Sequence, residues 1–470
     1  MSTDLNYDLV VIGSGPAGQK AAVQAAKLGK KVAIIERSRE VGGACVYRGT
    51  IPSKTLRENA LRIRNMRKNA EIANFQLNED LELATLITRL EDVLKAHDSY
   101  LTKQIARNKI DLLHGRAKFL SNTEIEVTNV RREVSVLTTE KCIIATGSYP
   151  RKPDNIDIDH EHIFDSDSIL SMLYLPKSLV VLGSGVIASE YASIFQALGV
   201  KVTIVDKYPG PLGFLDKDLT DTFVQAFENM GGTWWGNAKV AKSYWNGFDA
   251  VITELDDGTQ IKSEKLLCAA GRLANVKELH IENAGLALNE RGLIDVDDRL
   301  CTSVSNIYAA GDVIGPPSLA SASMEQGRRA SGNAYDLKMG EMQQALLPAG
   351  IYSIPELSSV GMSEKQAKDK FDNIIVGRAR FDEIARGQIS GNDEGMLKIV
   401  CDANGRKVLG VMIVGEGATE LIHIGQMALI SSADVDIFVE SIFNFPTLAE
   451  AYRVAALDVI GQRSKNNKAY

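Results

Sequence analysis

The chain of 470 residues is long enough for about three domains, and its 45% hydrophobic and 24% charged residues are ordinary for a globular protein. A formal net charge of −7 without a basic block argues against nucleic acid as a partner. No run approaches the roughly 18 apolar residues of a membrane span, and five scattered cysteines exclude a disulfide framework and fit a reducing compartment.

In chain order, the first element is the apolar run LVVIG (9–13), which the N-terminus enters directly, without a cleavable signal pattern, so a cytoplasmic protein is expected. It breaks into the turn GSGPAG (13–18) and then into a helical pattern. Gly13 would make the tight turn, Gly15 would let backbone approach a pyrophosphate, and Gly18 would let the helix pack closely. The next apolar run, KKVAIIE, ends on Glu36, 21 positions beyond Gly15. That is close to the spacing of a carboxylate that holds a ribose hydroxyl. The loop GGACVYRGTIPSK (42–54) follows, with Cys45, Thr50 and Lys54, and runs into a basic helical stretch (54–70) that reads as a solvated helix face.

The strand pattern KCIIATG carries Thr146 and Gly147, and SYPRKPD (148–154) punctuates the chain after it. The first cradle then returns: LVVLGSGVIA (179–188) repeats LVVIGSGPAG (9–18) 170 positions later. Gly183, Gly185 and Ala188 take the three small positions, Glu190 follows on the helix, and Asp206 closes VKVTIVD 21 positions after Gly185, with Lys207 beside it. A lone glycine triplet is weak evidence, but two with matched acids predict two dinucleotides, each with its pyrophosphate at a helix N-terminus. The run KLLCAAG ends on Gly271, YAAGD carries Gly311 and Asp312, and LASAS (319–323) with Ala320 opens a helix. From about residue 347 strands such as MLKIVC and VLGVMIVG, with Asn404-Gly405 as a hairpin signal, alternate with two helical patterns. The fold class is α/β: two Rossmann-like dinucleotide-binding domains and an α+β C-terminal domain. Cys142, Cys268 and Cys401 sit in apolar runs and read as buried spectators, while Cys301 gives no signal. His423 reads as a core or interface residue, and no metal-spaced cluster is present.

The ordered set GSGPAG with Glu36, GGACVYRGTIPSK, ATG (145–147), GSGVIASE, AAGD (309–312) and PTLAE (446–450) resembles the flavoprotein disulfide reductases along essentially the whole chain. The resemblance implies FAD on the first cradle (1–150 and 275–346) and NAD(P) on the second (151–274). It also implies that 347–470 is a dimerisation domain that makes a homodimer, which could assemble further. For FAD it implies Gly13, Gly15, Gly18, Glu36, Thr146, Gly147, Gly311, Asp312 and Ala320; for NAD(P), Gly183, Gly185, Ala188, Asp206, Lys207 and Gly271. Lys54 and Glu190 match an ion pair beside the flavin N5, and Asp312 matches an acid on the ribityl chain.

Two departures bear on the chemistry. Members that reduce disulfides hold two cysteines five positions apart; Cys45 matches the first, and Thr50, which can form neither a disulfide nor a thiolate, stands at the second. They also usually carry a histidine before Pro-Thr, paired with a glutamate; Phe445 stands at that position while Glu450 remains. The pair of changes closes the route to an external disulfide and resembles the soluble pyridine nucleotide transhydrogenases of the family, which exchange hydride between NADPH and NAD+. Cys45 is then a packing remnant or a redox-tuning thiol. Asp206 favours a free ribose 2′-hydroxyl, which leaves an NADH-dependent diaphorase or quinone reductase, and a non-catalytic NAD(H)-binding flavoprotein, as alternatives.

Overall fold

A computed structural model describes residues 5–69, 83–340 and 342–468. Within strands Asn6–Ile12 and Val32–Glu36, residues 9–12 and 32–35 are apolar on successive positions and buried on both faces, the pattern of interior parallel strands. They pair with Leu9 opposite Val32. The remaining neighbours give a seven-stranded sheet that begins with Asp111–His114, Val32–Glu36, Asn6–Ile12 and Val134–Ile144. Val134–Ile144 serves two partners besides Asn6–Ile12: its first half pairs antiparallel with Glu124–Thr128, and its last three residues pair in parallel with Ile307–Ala309. The chain therefore returns to this sheet after crossing a second one.

The second sheet is five parallel strands ordered Thr233–Trp235, Lys201–Val205, Ser178–Leu182, Lys265–Cys268 and Ile163–Asp165. A three-stranded antiparallel meander (Val240–Trp245, Val251–Leu255, Gln260–Ser263) accompanies it. A two-stranded ribbon, Ser148–Pro150 with Arg272–Ala274, joins the first two units. The third sheet is antiparallel throughout, in the order Ala349–Ile351, Leu357–Gly361, Val408–Val414, Met396–Cys401 and Ile375–Arg380. Asn404-Gly405 lies in the loop between two of these strands, with Gly405 at φ 60°. Helices Ala418–Ile430 and Glu450–Lys468 pack on this sheet and help form its core.

Each glycine turn is fixed by a close approach of backbone. Gly13 has φ 104°, and a Cβ there would lie 2.4 Å from the Ala145 carbonyl oxygen. At Gly18 a Cβ would meet the Gly13 carbonyl oxygen at 1.9 Å, so the helix Pro16–Lys27 can dock against its own turn only because that residue has no side chain. In the second copy Gly183 repeats the positive φ at 115°, and the fully buried Ala188 takes the place of Gly18.

Candidate active site

The two cradles and the third domain enclose a cavity of about 880 Å3. Its walls come from stretches far apart in sequence: the first turn with Glu36, the Cys45–Lys54 loop, Ala145–Tyr149, Val186–Tyr191, Arg272, Ala310–Asp312, Ser318–Ser323 and Gly350–Tyr352. Gly13, Gly15, Glu36, Cys45, Thr50, Lys54, Thr146, Gly147, Glu190, Gly311, Asp312 and Ala320 all line it. Gly18 and Ala188 are spent on packing. Gly183, Gly185, Asp206, Lys207 and Gly271 lie outside the cavity lining, as do Phe445 and Glu450.

Glu36 is anchored to the turn that precedes it. One carboxylate oxygen accepts from the Ser14 backbone N–H at 3.0 Å and hydroxyl at 2.6 Å, and the other from the Ser38 N–H at 2.8 Å. The Asp206 carboxylate, in contrast, accepts among the described residues from the Tyr208 N–H alone, at 2.8 Å, and the Lys207 ammonium rests 5.0 Å from the centre of the Tyr208 ring.

The loop helix Thr50–Lys68 projects Lys54 towards Glu190 on helix Val186–Ala197. The ammonium donates to both carboxylate oxygens at 2.9 and 2.8 Å, and Glu190 also accepts from the Tyr352 N–H at 2.9 Å. Glu190 is buried and Lys54 partly so, which makes this pair stiffer than a surface bridge. Cys45 stands against the Thr50 hydroxyl. Burial pushes its thiol up, and neither the hydrogen bond with Thr50 nor the Lys54 charge restores the ordinary value; Asp312 adds to the rise. All five cysteines are free thiols.

At the joint between the two cradles Arg272 donates from Nε to the Ser148 hydroxyl at 2.9 Å and from its terminal nitrogens to the Ser148 carbonyl, Ser166 and Asp167 at 2.9, 3.0 and 2.8 Å. The Ser148 hydroxyl in turn donates to Asp312 at 2.7 Å. Arg272 and Ser148 were open to sequence reading, since each directly follows a glycine already singled out, Gly271 and Gly147. Tyr191 and Tyr352 carried no such signal. His423, expected in a core or interface, is exposed in the chain at the cavity rim, its Nδ1 2.9 Å from Gln426 Oε1. Among the described residues no group of His, Cys, Asp or Glu could hold a metal ion, and no helix is long and apolar enough to cross a membrane.

Sequence comparison matches residues 7–327 to the pyridine nucleotide-disulphide oxidoreductase model and residues 347–456 to the dimerisation domain of the same family. The chain belongs to this family. A soluble pyridine nucleotide transhydrogenase of Mycobacterium tuberculosis is 43% identical over 98% of this chain and 99% of its own length. One of Pseudomonas syringae is 43% identical over 96% and 98%. Among solved structures, the HOCl-induced flavoprotein disulfide reductase RclA of Escherichia coli superposes with a TM-score of 0.86 at 30% identity, covering 96% of this chain and 99% of that one. LpdA of Mycobacterium tuberculosis gives 0.88 at 26% identity over the same shares. The family is FAD-dependent and uses NAD(P)H, and the cavity residues fit such a cofactor. The Thr146 hydroxyl is buried there without a protein partner, and helix Ala320–Ala334 opens on the cavity with no side chain capping its first turn. Free N–H groups and the helix dipole at that end suit a ligand edge that carries negative charge.

Proposed function

We propose that the protein exchanges hydride between NADPH and NAD+ through one site, without a redox-active disulfide. The observation that carries this reading is the pairing at the cavity wall: Cys45 faces the hydroxyl of Thr50 and its thiol is held neutral, while the Lys54–Glu190 pair beside them is intact. When bound, FAD supplies a ring system that accepts a hydride equivalent from one nicotinamide and returns it to another. Gly13 and Gly15 would admit its pyrophosphate, with Gly18 packing the helix beneath; Glu36, Thr146, Gly147, Gly311, Asp312 and Ala320 would bind and orient the rest. Lys54 supplies positive charge over the cavity, and Glu190 fixes where that charge sits. Gly183, Gly185, Ala188 and Gly271 shape the NAD(P) cradle, with Asp206 and Lys207 at its ribose end. The oxidised nucleotide leaves before the second enters, so the kinetics are ping-pong.

Residues 1–150 with 275–346 form the FAD unit in this reading, 151–274 the NAD(P) unit and 347–470 the interface of a cytoplasmic homodimer. Phe445, 75% exposed in the single chain, is then covered by the partner and has no proton to move. Glu450 stays at the start of the last helix, where it accepts from the Thr447 N–H at 3.4 Å. Asp206 supports a second reading, an NADH-dependent diaphorase, because a carboxylate there opposes a 2′-phosphate. Anaerobic mixing with NADPH and a spectroscopically distinct NAD+ analogue separates the two. Rapid appearance of the reduced analogue supports exchange, bleaching of the flavin by NADH but not by NADPH supports the diaphorase, and brisk turnover of lipoamide or glutathione would sink both.

A further inference from the structure

Tyr352 meets the Lys54–Glu190 pair from the third domain, and it touches both members. Its ring lies under the Lys54 ammonium, 4.8 Å from nitrogen to ring centre, and its N–H is the one that Glu190 accepts. An ammonium at that distance is attracted by the negative face of the ring, more strongly where water is thinned out. The side chain is half-buried and lines the cavity.

The segment that carries the ring is also held from behind. Thr419 lines the cavity with Tyr352, and its hydroxyl donates to Glu356 at 2.8 Å. Glu356 pairs with the buried Arg57 at 2.9 Å, and Arg57 Nε donates to the Ser353 carbonyl at 3.0 Å. Arg57 sits one turn beyond Lys54 on the same helix. The loop that carries Tyr352 is thus clamped to the helix that carries Lys54.

We infer that Tyr352 is a positioning residue. Its ring face holds the Lys54 ammonium over the cavity while its backbone holds Glu190, so the charge the site presents to a ligand depends on a residue of the third domain. The inference rests on the proposed reading only in taking this cavity as the place where hydride is exchanged.

The test uses FAD-loaded protein reduced anaerobically by NADH alone, followed by stopped-flow absorbance, and it compares Tyr352→Leu with Tyr352→Phe. Phe keeps the ring and should match the parent chain in rate and in the visible band of the bound flavin. Leu should slow the limiting reduction about three- to thirty-fold, the range expected for a lost cation–π contact, with a smaller change in the NADH concentration at half-saturation and a displaced flavin band. If Leu loads FAD poorly, a series of increasingly fluorinated phenylalanines at position 352 keeps the shape and drains the ring face, and the rate should fall with each fluorine. Leu at full FAD content with unchanged rate and band, Phe as damaged as Leu, or a flat fluorination series each overturn the inference. A parent chain that NADH reduces but that passes nothing from NADPH to the NAD+ analogue would remove the transhydrogenase reading and leave the Tyr352 comparison standing.

Discussion

At the scale of single residues the chemistry turns on what Cys45 and Asp206 can do. Because burial raises the Cys45 thiol, little thiolate exists at neutral pH, and the side chain is a poor nucleophile. Cys45→Ser should therefore keep hydride exchange within about two-fold, and alkylation of the parent thiol by iodoacetamide should stay slow until the pH passes about 9. Fast labelling at pH 7, or loss of exchange at full FAD content, would show that the thiol is on the path. Asp206 is a different case, held by one N–H beside a lysine that is engaged with Tyr208. Asp206→Ser removes a charge that repels a 2′-phosphate, so kcat/KM for NADPH should rise relative to NADH by about ten-fold, near the weight of one charge contact. Equal ratios in variant and parent would mean that the carboxylate does not face the ribose.

At the scale of elements, the cradles were legible because each is a local problem: a strand, a turn without Cβ atoms, a helix and an acid at a set distance all lie within about 30 residues. The contacts that unite them were not. Arg272 reaches Ser148, Ser166 and Asp167 only after the ribbon has paired, and Tyr352 reaches Lys54 only once the third sheet has docked. The same holds for the fully buried Lys398 on strand Met396–Cys401. It bonds Asp216 and Asp218 at 2.7 Å and Glu364 at 3.2 Å, tying the helix that follows the second cradle to the third domain. Lys398→Met takes the buried cation from Asp216, while Asp218 and Glu364 keep Arg378, and should cost about 3 kcal/mol in urea unfolding at pH 7. Burial works to raise the Glu364 carboxyl, but Lys368, Lys398 and Arg378 outweigh it and hold it at about 2. A depressed carboxyl stabilises the fold above its ordinary value and loses that contribution as the pH falls, so the parent chain should weaken between about 4.5 and about 2. The variant's stability should fall less steeply across that window, and parallel curves would refute the assignment.

At the scale of the whole molecule the third domain does two jobs: it closes the cavity through Gly350–Tyr352 and leaves apolar side chains without cover. Ile442 is 95% exposed in the single chain, and Met427, Ile430, Ile437, Phe445 and Leu457 of the same domain are exposed with it. Exposed apolar side chains suit an association surface, and all of these but Leu457 lie within the segment that matches the family's dimerisation model. A charge placed among them must be desolvated when two chains meet, a cost it does not incur in the free chain. Ile442→Asp should therefore leave the fold and FAD binding of each chain intact while shifting the sedimentation mass from twice 51.1 kDa towards 51.1 kDa. Since Tyr352 and Lys54 belong to one chain, reduction of the bound flavin by NADH should survive the separation. A dimer that persists in Ile442→Asp would move the interface off this face, and dissociation that also abolishes reduction at full FAD content would mean that the partner completes the site.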